Sequence, residues 1–210
     1  MTNLTQFING GMLLKQQIIT ANGDWDRPVG LAGNTVYVTL IGGGEGCGTN
    51  TPTAGNGGEY FIRVPVDIGD DMSVPCTIGA GGIGAGTSST SYSPGGTTSF
   101  GAFISALGGS TSAGVGTPGG GRQNNSTNPT PVQNGSDTPL GYGGKVIAYT
   151  SSTLVAGGGG GLILDTSRTV GQTTSAMSAA MGYGAGANYS AGLVRNGAPG
   201  AILIEWPEVV

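Results

Sequence analysis

The sequence predicts a mainly β protein: short antiparallel strands joined to packed polyglycine II-type threads, a glycine-rich sandwich with very little helix. Three observations predict it. Glycine supplies 45 of the 210 residues, about three times ordinary usage. The apolar runs alternate with a period of two, the period of a strand with one buried face. Apolar or small-residue runs lead repeatedly into glycine tracts.

The strands come first. Thr35-Val36-Tyr37-Val38-Thr39-Leu40-Ile41 and Ala201-Ile202-Leu203-Ile204-Glu205-Trp206 are β-branched and apolar runs that would aggregate if exposed. Over 59–68, Tyr60, Ile62, Val64, Val66 and Ile68 are expected on one face. Met72, Val74, Cys76 and Ile78 share a face of the next strand, and Gly69-Asp70-Asp71 reads as a hairpin turn between the two. Pro65 and Pro75 each lack a ladder donor, so these strands are expected at edges or bulges. Phe100, Ala102 and Ile104 suggest another short strand, and 145–149 a weaker one. Helical spacing is faint, at Leu4, Phe7 and Ile8, and Gly10-Gly11 ends it. Asp24, Asp26, Asp67, Asp70 and Asp71 read as turn or strand-end residues.

Five glycine tracts follow such runs. They are Gly42-Gly43-Gly44-Glu45-Gly46-Cys47-Gly48, Gly79-Ala80-Gly81-Gly82-Ile83-Gly84-Ala85-Gly86, Gly108-Gly109, 157–161 and Gly182-Tyr183-Gly184-Ala185-Gly186. Their spacing is irregular, so this is recurrence rather than a solenoid. Gly42-Gly43-Gly44 and 157–161 also break the three-residue frame that collagen requires. Each ordered Gly costs about 0.5–1 kcal/mol more than Ala and has no side chain to bury. Compensation must come from backbone hydrogen bonds and close main-chain approach, which threads of three residues per turn provide. The tracts are therefore expected to stack side by side, with the polar stretches 87–97, 122–138, 165–174 and 187–196 looping out at their ends.

Composition excludes much chemistry. With no His in the chain, imidazole-based nucleophile systems and His-ligated metals are ruled out within it. Seven basic residues against eleven acidic ones cannot neutralise a run of phosphates, so nucleic acid is not an expected partner. The start lacks a basic region followed by a long apolar core, and the apolar stretches are too short to span a membrane as a helix. A soluble, unexported chain is expected. Gly79-Ala80-Gly81-Gly82-Ile83-Gly84 fits G-x-G-x-x-G, but no helix opens after it and no acid follows until Asp137, so the dinucleotide fingerprint is incomplete. The carboxylates show no spacing that sets two across a sugar cleft. Neither enzymatic activity nor a cofactor is expected. Cys47 and Cys76 are expected to be small buried thiols.

The ordered series Val36-Tyr37-Val38-Thr39-Leu40-Ile41-Gly42-Gly43-Gly44, Gly57-Gly58-Glu59-Tyr60, Thr77-Ile78-Gly79-Ala80-Gly81-Gly82, Gly96-Thr97-Thr98-Ser99-Phe100-Gly101, Ala106-Leu107-Gly108-Gly109 and Asn196-Gly197-Ala198-Pro199-Gly200-Ala201-Ile202-Leu203-Ile204-Glu205-Trp206 carries a resemblance. Over roughly 33–206 it resembles the glycine-rich domain of bacteriophage tail fibres and receptor-binding proteins, similar to the polyglycine-sandwich adhesins of T-even-like phages. The resemblance implies a tail-tip adhesin of the virion, assembled in the host cytoplasm. It would contact a host outer-membrane protein or surface glycan through variable loops. Residues 1–32 would then be an attachment segment for other phage tail proteins, removable without unfolding the glycine-rich receptor-binding domain, 33–210. Tail fibres are commonly threefold and exposed strand edges need cover, so a homotrimer is expected. The alternative is a purely structural virion protein, a tail-tip or capsid decoration piece.

Binding residues are sought in the polar stretches. Tyr92, Tyr142, Tyr183 and Tyr189 lie in or beside them, and Arg122 with Asn124 and Asn125 opens the longest. Tyr offers flat amphipathic area at low entropy cost, and Asn supplies adaptable donors and acceptors.

Overall fold

In a computed structural model, residues 7–8, 12–47, 55–84, 93–110, 149–150, 153–156, 182–187, 189–190 and 195–209 are described. They form twelve strands and no helix. The strands are β1 (Phe7–Ile8), β2 (Met12–Ile19), β3 (Gly23–Asp26), β4 (Thr35–Ile41), β5 (Tyr60–Asp67), β6 (Ser73–Thr77), β7 (Thr98–Phe100), β8 (Ile104–Ala106), β9 (Tyr149–Thr150), β10 (Thr153–Ala156), β11 (Tyr189–Ser190) and β12 (Ala201–Val209). A five-stranded sheet, β1-β2-β12-β4-β5, faces a four-stranded sheet, β3-β6-β7-β8. A small third sheet has the order β11-β10-β9. Every strand pairing is antiparallel.

Apolar alternation builds the sandwich. Val36, Val38 and Leu40 of β4 and Ile202, Ile204 and Trp206 of β12 face Val74, Cys76 and Phe100 of the other sheet. Trp25 is fully buried at the centre, edge-on to Phe100 at 5.8 Å and to Trp206 at 5.9 Å between ring centroids. Such edge-to-face pairs add about 0.5–1.5 kcal/mol each beyond the area they bury.

Several expectations about the strands are corrected. The strands on either side of Gly69-Asp70-Asp71 do not form a hairpin: β5 edges one sheet while β6 joins β3 and β7 in the other. Both strands carry an apolar face, and a connection that crosses between the sheets lets both faces reach one core. The face expected to run from Tyr60 to Ile68 is broken by a bulge opposite Val38 and Leu40. There Arg63 takes a positive φ of 52° and gives its backbone N–H to Thr39 Oγ1 at 2.9 Å. Its Nε reaches Glu205 Oε2 at 2.9 Å and its guanidinium lies over Tyr37. Beyond the bulge Phe61 packs on the core while Ile62 is turned to solvent. Pro65 does lie on an edge strand. Pro75 does not, but it just precedes the β6–β7 ladder, which starts at Cys76. The strand expected through Phe100 and Ile104 is two strands about a turn at Gly101, whose φ is 54°. Asp24 lies inside β3 rather than in a turn or at a strand end, whereas Asp26 does end that strand, and Phe7 and Ile8 form a strand rather than helix.

Residues 12–32 share this core. Strand β2 pairs with β12 from Ile19↔Ile202 to Met12↔Val209, and β3 brings in Trp25. The packing shows no boundary at 32/33.

Where the strands leave the sandwich, side chains stop and main chain takes over. β4, β6 and β8 run straight into tracts 42–47, 79–84 and 107–110, while tracts 55–59, 93–96 and 195–200 run straight into β5, β7 and β12. Tract 182–187 completes the set. Residues 42–47 are all buried, and their N–H groups rotate through three neighbours with a period of three. Gly42 donates to Glu59, Gly43 to Gly96 and Gly44 to Ala198. Glu45 then returns to Asn56, Gly46 to Ser93 and Cys47 to Arg195. A thread with three residues per turn aims successive N–H groups about 120° apart, as this pattern requires. The descending partner numbers make those three tracts antiparallel to the central one.

The central carbonyls accept from the three remaining tracts. Gly43 O takes the N–H of Gly109, Gly44 O that of Gly82, and Glu45 O that of Ala187. Contacts of Gly43 with the Ala80 oxygen and of Gly46 with the Ile83 oxygen show that tract 79–84 runs parallel. The six outer tracts close into a ring in the order 55–59, 107–110, 93–96, 79–84, 195–200, 182–187. Their links include Glu59 N–H to Leu107 O, Gly95 to Gly109, Gly96 to Ala80, Gly197 to Gly82, Ala198 to Ala185 and Gly55 to Ala187. Acceptors and donors of the central thread alternate around that ring. The result is a hexagonal bundle, one thread inside six.

Candidate functional site

The bundle has two ends. At one, it continues into the sandwich. At the other lie Cys47, Gly55, Gly84, Ser93, Ser110, Ala187 and Arg195, where the tracts end or begin. The chain joins 47 to 55, 84 to 93 and 187 to 195 here, and the long stretch from 111 to 181 departs here. Tracts 42–47, 79–84 and 182–187 run away from the sandwich, and 55–59, 93–96 and 195–200 run back toward it.

Side chains at this far end complete what glycine cannot. Ser93 Oγ accepts the Ile83 N–H at 2.7 Å, and the Ser93 N–H returns a bond to Ile83 O at 3.0 Å. Asn196 Oδ1 accepts the Gly84 N–H at 2.9 Å. These two residues satisfy donors that the last turn of the bundle would leave orphaned. Ile83 remains 66% exposed on the flank, an apolar side chain beside the polar caps. Cys47 is buried and is not part of a disulfide. Burial pushes that thiol above its usual range, and hydrogen bonding and charge from Arg195 act against the shift. The buried Arg195 Nε–H has no hydrogen-bond partner among the described residues.

Within the bundle one carboxylate is enclosed. Glu45 is 1% exposed in the central thread, and its Oε2 accepts the Asn56 N–H at 3.0 Å. The side chain thus serves the lattice in the same way as a carbonyl. Among the described residues no group of three or more His, Cys, Asp or Glu stands together. Cys76 is also buried outside any disulfide, its Sγ–H donating to Val74 O and its pKa pushed up to about 11 chiefly by burial.

The residues singled out in the sequence divide between places. Tyr92, Arg122, Asn124, Asn125 and Tyr142 lie outside the described residues. Tyr189 is in β11, in register with Ala156. Tyr183 is half-buried and sits at the sandwich end of the bundle. Its neighbour Gly184 donates to Pro199 O, accepts from Gly58 and rests against Ile41. Ser93, Asn196 and Arg195 were not singled out, although a polar residue flanking each glycine run was the available signal. No family model and no curated protein sequence matches the chain.

Proposed function

We propose that the protein is a bacteriophage tail-tip adhesin. It recognises a host outer-membrane protein or surface glycan through the segments that join the glycine threads. One observation carries the reading: the hexagonal bundle brings the facing ends of three successive thread pairs, 47/55, 84/93 and 187/195, to the end remote from the sandwich. A scaffold whose internal bonds are main chain to main chain holds its thread ends with little dependence on the sequence of the connections. Those connections can therefore vary, as host recognition demands, while the support stays unchanged. The Ser-, Thr-, Asn- and Tyr-containing composition of the connections suits adaptable polar contact with flat aromatic anchors. The reading includes a place in the virion, no catalytic step, contacts with other tail proteins and threefold self-association.

Adsorption tests it. The purified protein should bind host cells and compete with the parent phage for them. Exchange of 122–138 for another polar sequence should change which strains are bound while leaving the melting temperature in place. A protein that is incorporated into particles but neither binds cells nor competes would be a structural virion component instead.

A further inference from the structure

The end of the sandwich opposite the bundle carries a second surface, and it does not depend on the reading of the tip. The Arg27 N–H donates to Met72 O at the end of the β3–β6 ladder, and the Val209 N–H donates to Gly30 O at the end of β12. These two bonds bring the ends of both sheets to the turn that holds Val29. Val29 is fully exposed, Met72 is 71% exposed and Val209 is 59% exposed. Asp67 ends β5, and Asp70 and Asp71 lie in the turn that follows and leads to Met72, all three exposed; the Arg27 guanidinium on Gly69 O ties that turn to the same end. The nearby cations are already engaged. The Arg27 guanidinium donates to Gly69 O at 2.7 Å, Gly33 O at 3.0 Å and Asn34 Oδ1 at 2.7 Å. Lys15 lies 3.8 Å from Glu208.

We propose that this apolar, acid-rimmed end is a docking face for a different protein, whose contact surface is an apolar patch flanked by Lys and Arg. Exposed Met and Val supply apolar area to bury, and the carboxylate rim selects the sign of the partner. A second copy is the wrong occupant, because it presents the same three carboxylates, while Arg27 and Lys15 are already engaged within the chain. An anionic lipid surface is repelled for the same reason.

Methyl NMR on the full chain, labelled at Met and Val, tests the chemistry with a defined probe: a short synthetic peptide alternating Leu and Lys. The Val29, Met72 and Val209 signals should shift with this peptide and not with its Glu counterpart or with anionic phosphatidylglycerol vesicles. The double substitution Asp70→Lys, Asp71→Lys should weaken binding at least about tenfold, and added salt should weaken it in the parent protein. An unchanged thermal melt shows that the variant is folded. A second arm places a photo-crosslinking residue at Met72 within the parent particle, where crosslinks should reach peptides with Lys or Arg beside apolar residues. Signals unmoved by the Lys peptide, equal response to the Glu peptide, response to vesicles, shifts that follow protein concentration, or crosslinks to another copy alone would each overturn the proposal. The peptide arm needs neither host nor particle, so its failure is separate from a failure of adsorption.

Discussion

The α-carbon of Gly44 rests against the carbonyl oxygen of Ala185, so that a β-carbon on Gly44 would fall on that oxygen. Both atoms belong to main chain in the middle of the bundle, and neither has a flexible end that could swing aside. Glycine is therefore required here by the neighbour rather than by its own backbone angles.

Gly44→Ala should destabilise the protein by about 3 kcal/mol or more, at or beyond the upper end of overpacking effects. Gly23→Ala is the control. A β-carbon there meets nothing within 4 Å, and Ala in a strand should be neutral or stabilise by about 0.5–1 kcal/mol. Denaturant melts of the two variants measure both, and equal effects would contradict the lattice.

Amide exchange checks whether the threads hold in solution. The N–H groups of Gly43, Gly44 and Gly46 are all bonded within a buried strand of main chain. They should exchange only through global opening, as core β4 amides do. Exchange at the rate of a denatured peptide would mean that the tracts do not pack.

Glu45 and the Asn56 N–H form a buried donor–acceptor pair. Glu45→Ala should cost about 1–3 kcal/mol, because it leaves that donor without a partner. Glu45→Gln keeps an acceptor oxygen and should cost less. The difference between the two melts isolates the hydrogen bond from the charge.

The two buried thiols make stability fall on the alkaline side. Cys76 ionises near 11 in the folded chain against an ordinary 9.0, and Cys47 shifts in the same direction. Below pH 9.0 the thiols are neutral in folded and unfolded chains alike. Between there and about 11 only the unfolded chain releases the Cys76 proton. Stability should drop through that window, by at most about 1.4 kcal/mol per pH unit for each thiol. Cys76→Ala should flatten its share of the slope in chemical melts across that range. Thiol alkylation at pH 8 should be slow in the folded protein and fast in denaturant.

Removing residues 1–32 takes away Trp25 and strips β2 from β12. The remainder should lose its cooperative melt and its near-ultraviolet aromatic signal. A truncated chain that melts as sharply as the parent would show that 12–32 is dispensable to the core.

The sequence by itself determined the β class, the strands at 35–41 and 201–206, and the need for the glycines to pack main chain on main chain. Each of these follows from local properties: a two-residue apolar period, β-branched runs, and a residue with no side chain to bury. Tertiary structure alone decided which strands pair, because Val66 and Val74 carry the same apolar signal whether they share a hairpin or face each other across a core. It also drew β2 and β3 into that core. Lys15, Gln16 and Gln17 obscure any alternation in β2, and the single Trp25 between two aspartates has no period. The order of the seven threads lay beyond local reading for a similar reason. Glycine carries no side chain to mark a face, so each thread's neighbours are chosen by where the strands at its foot are already held.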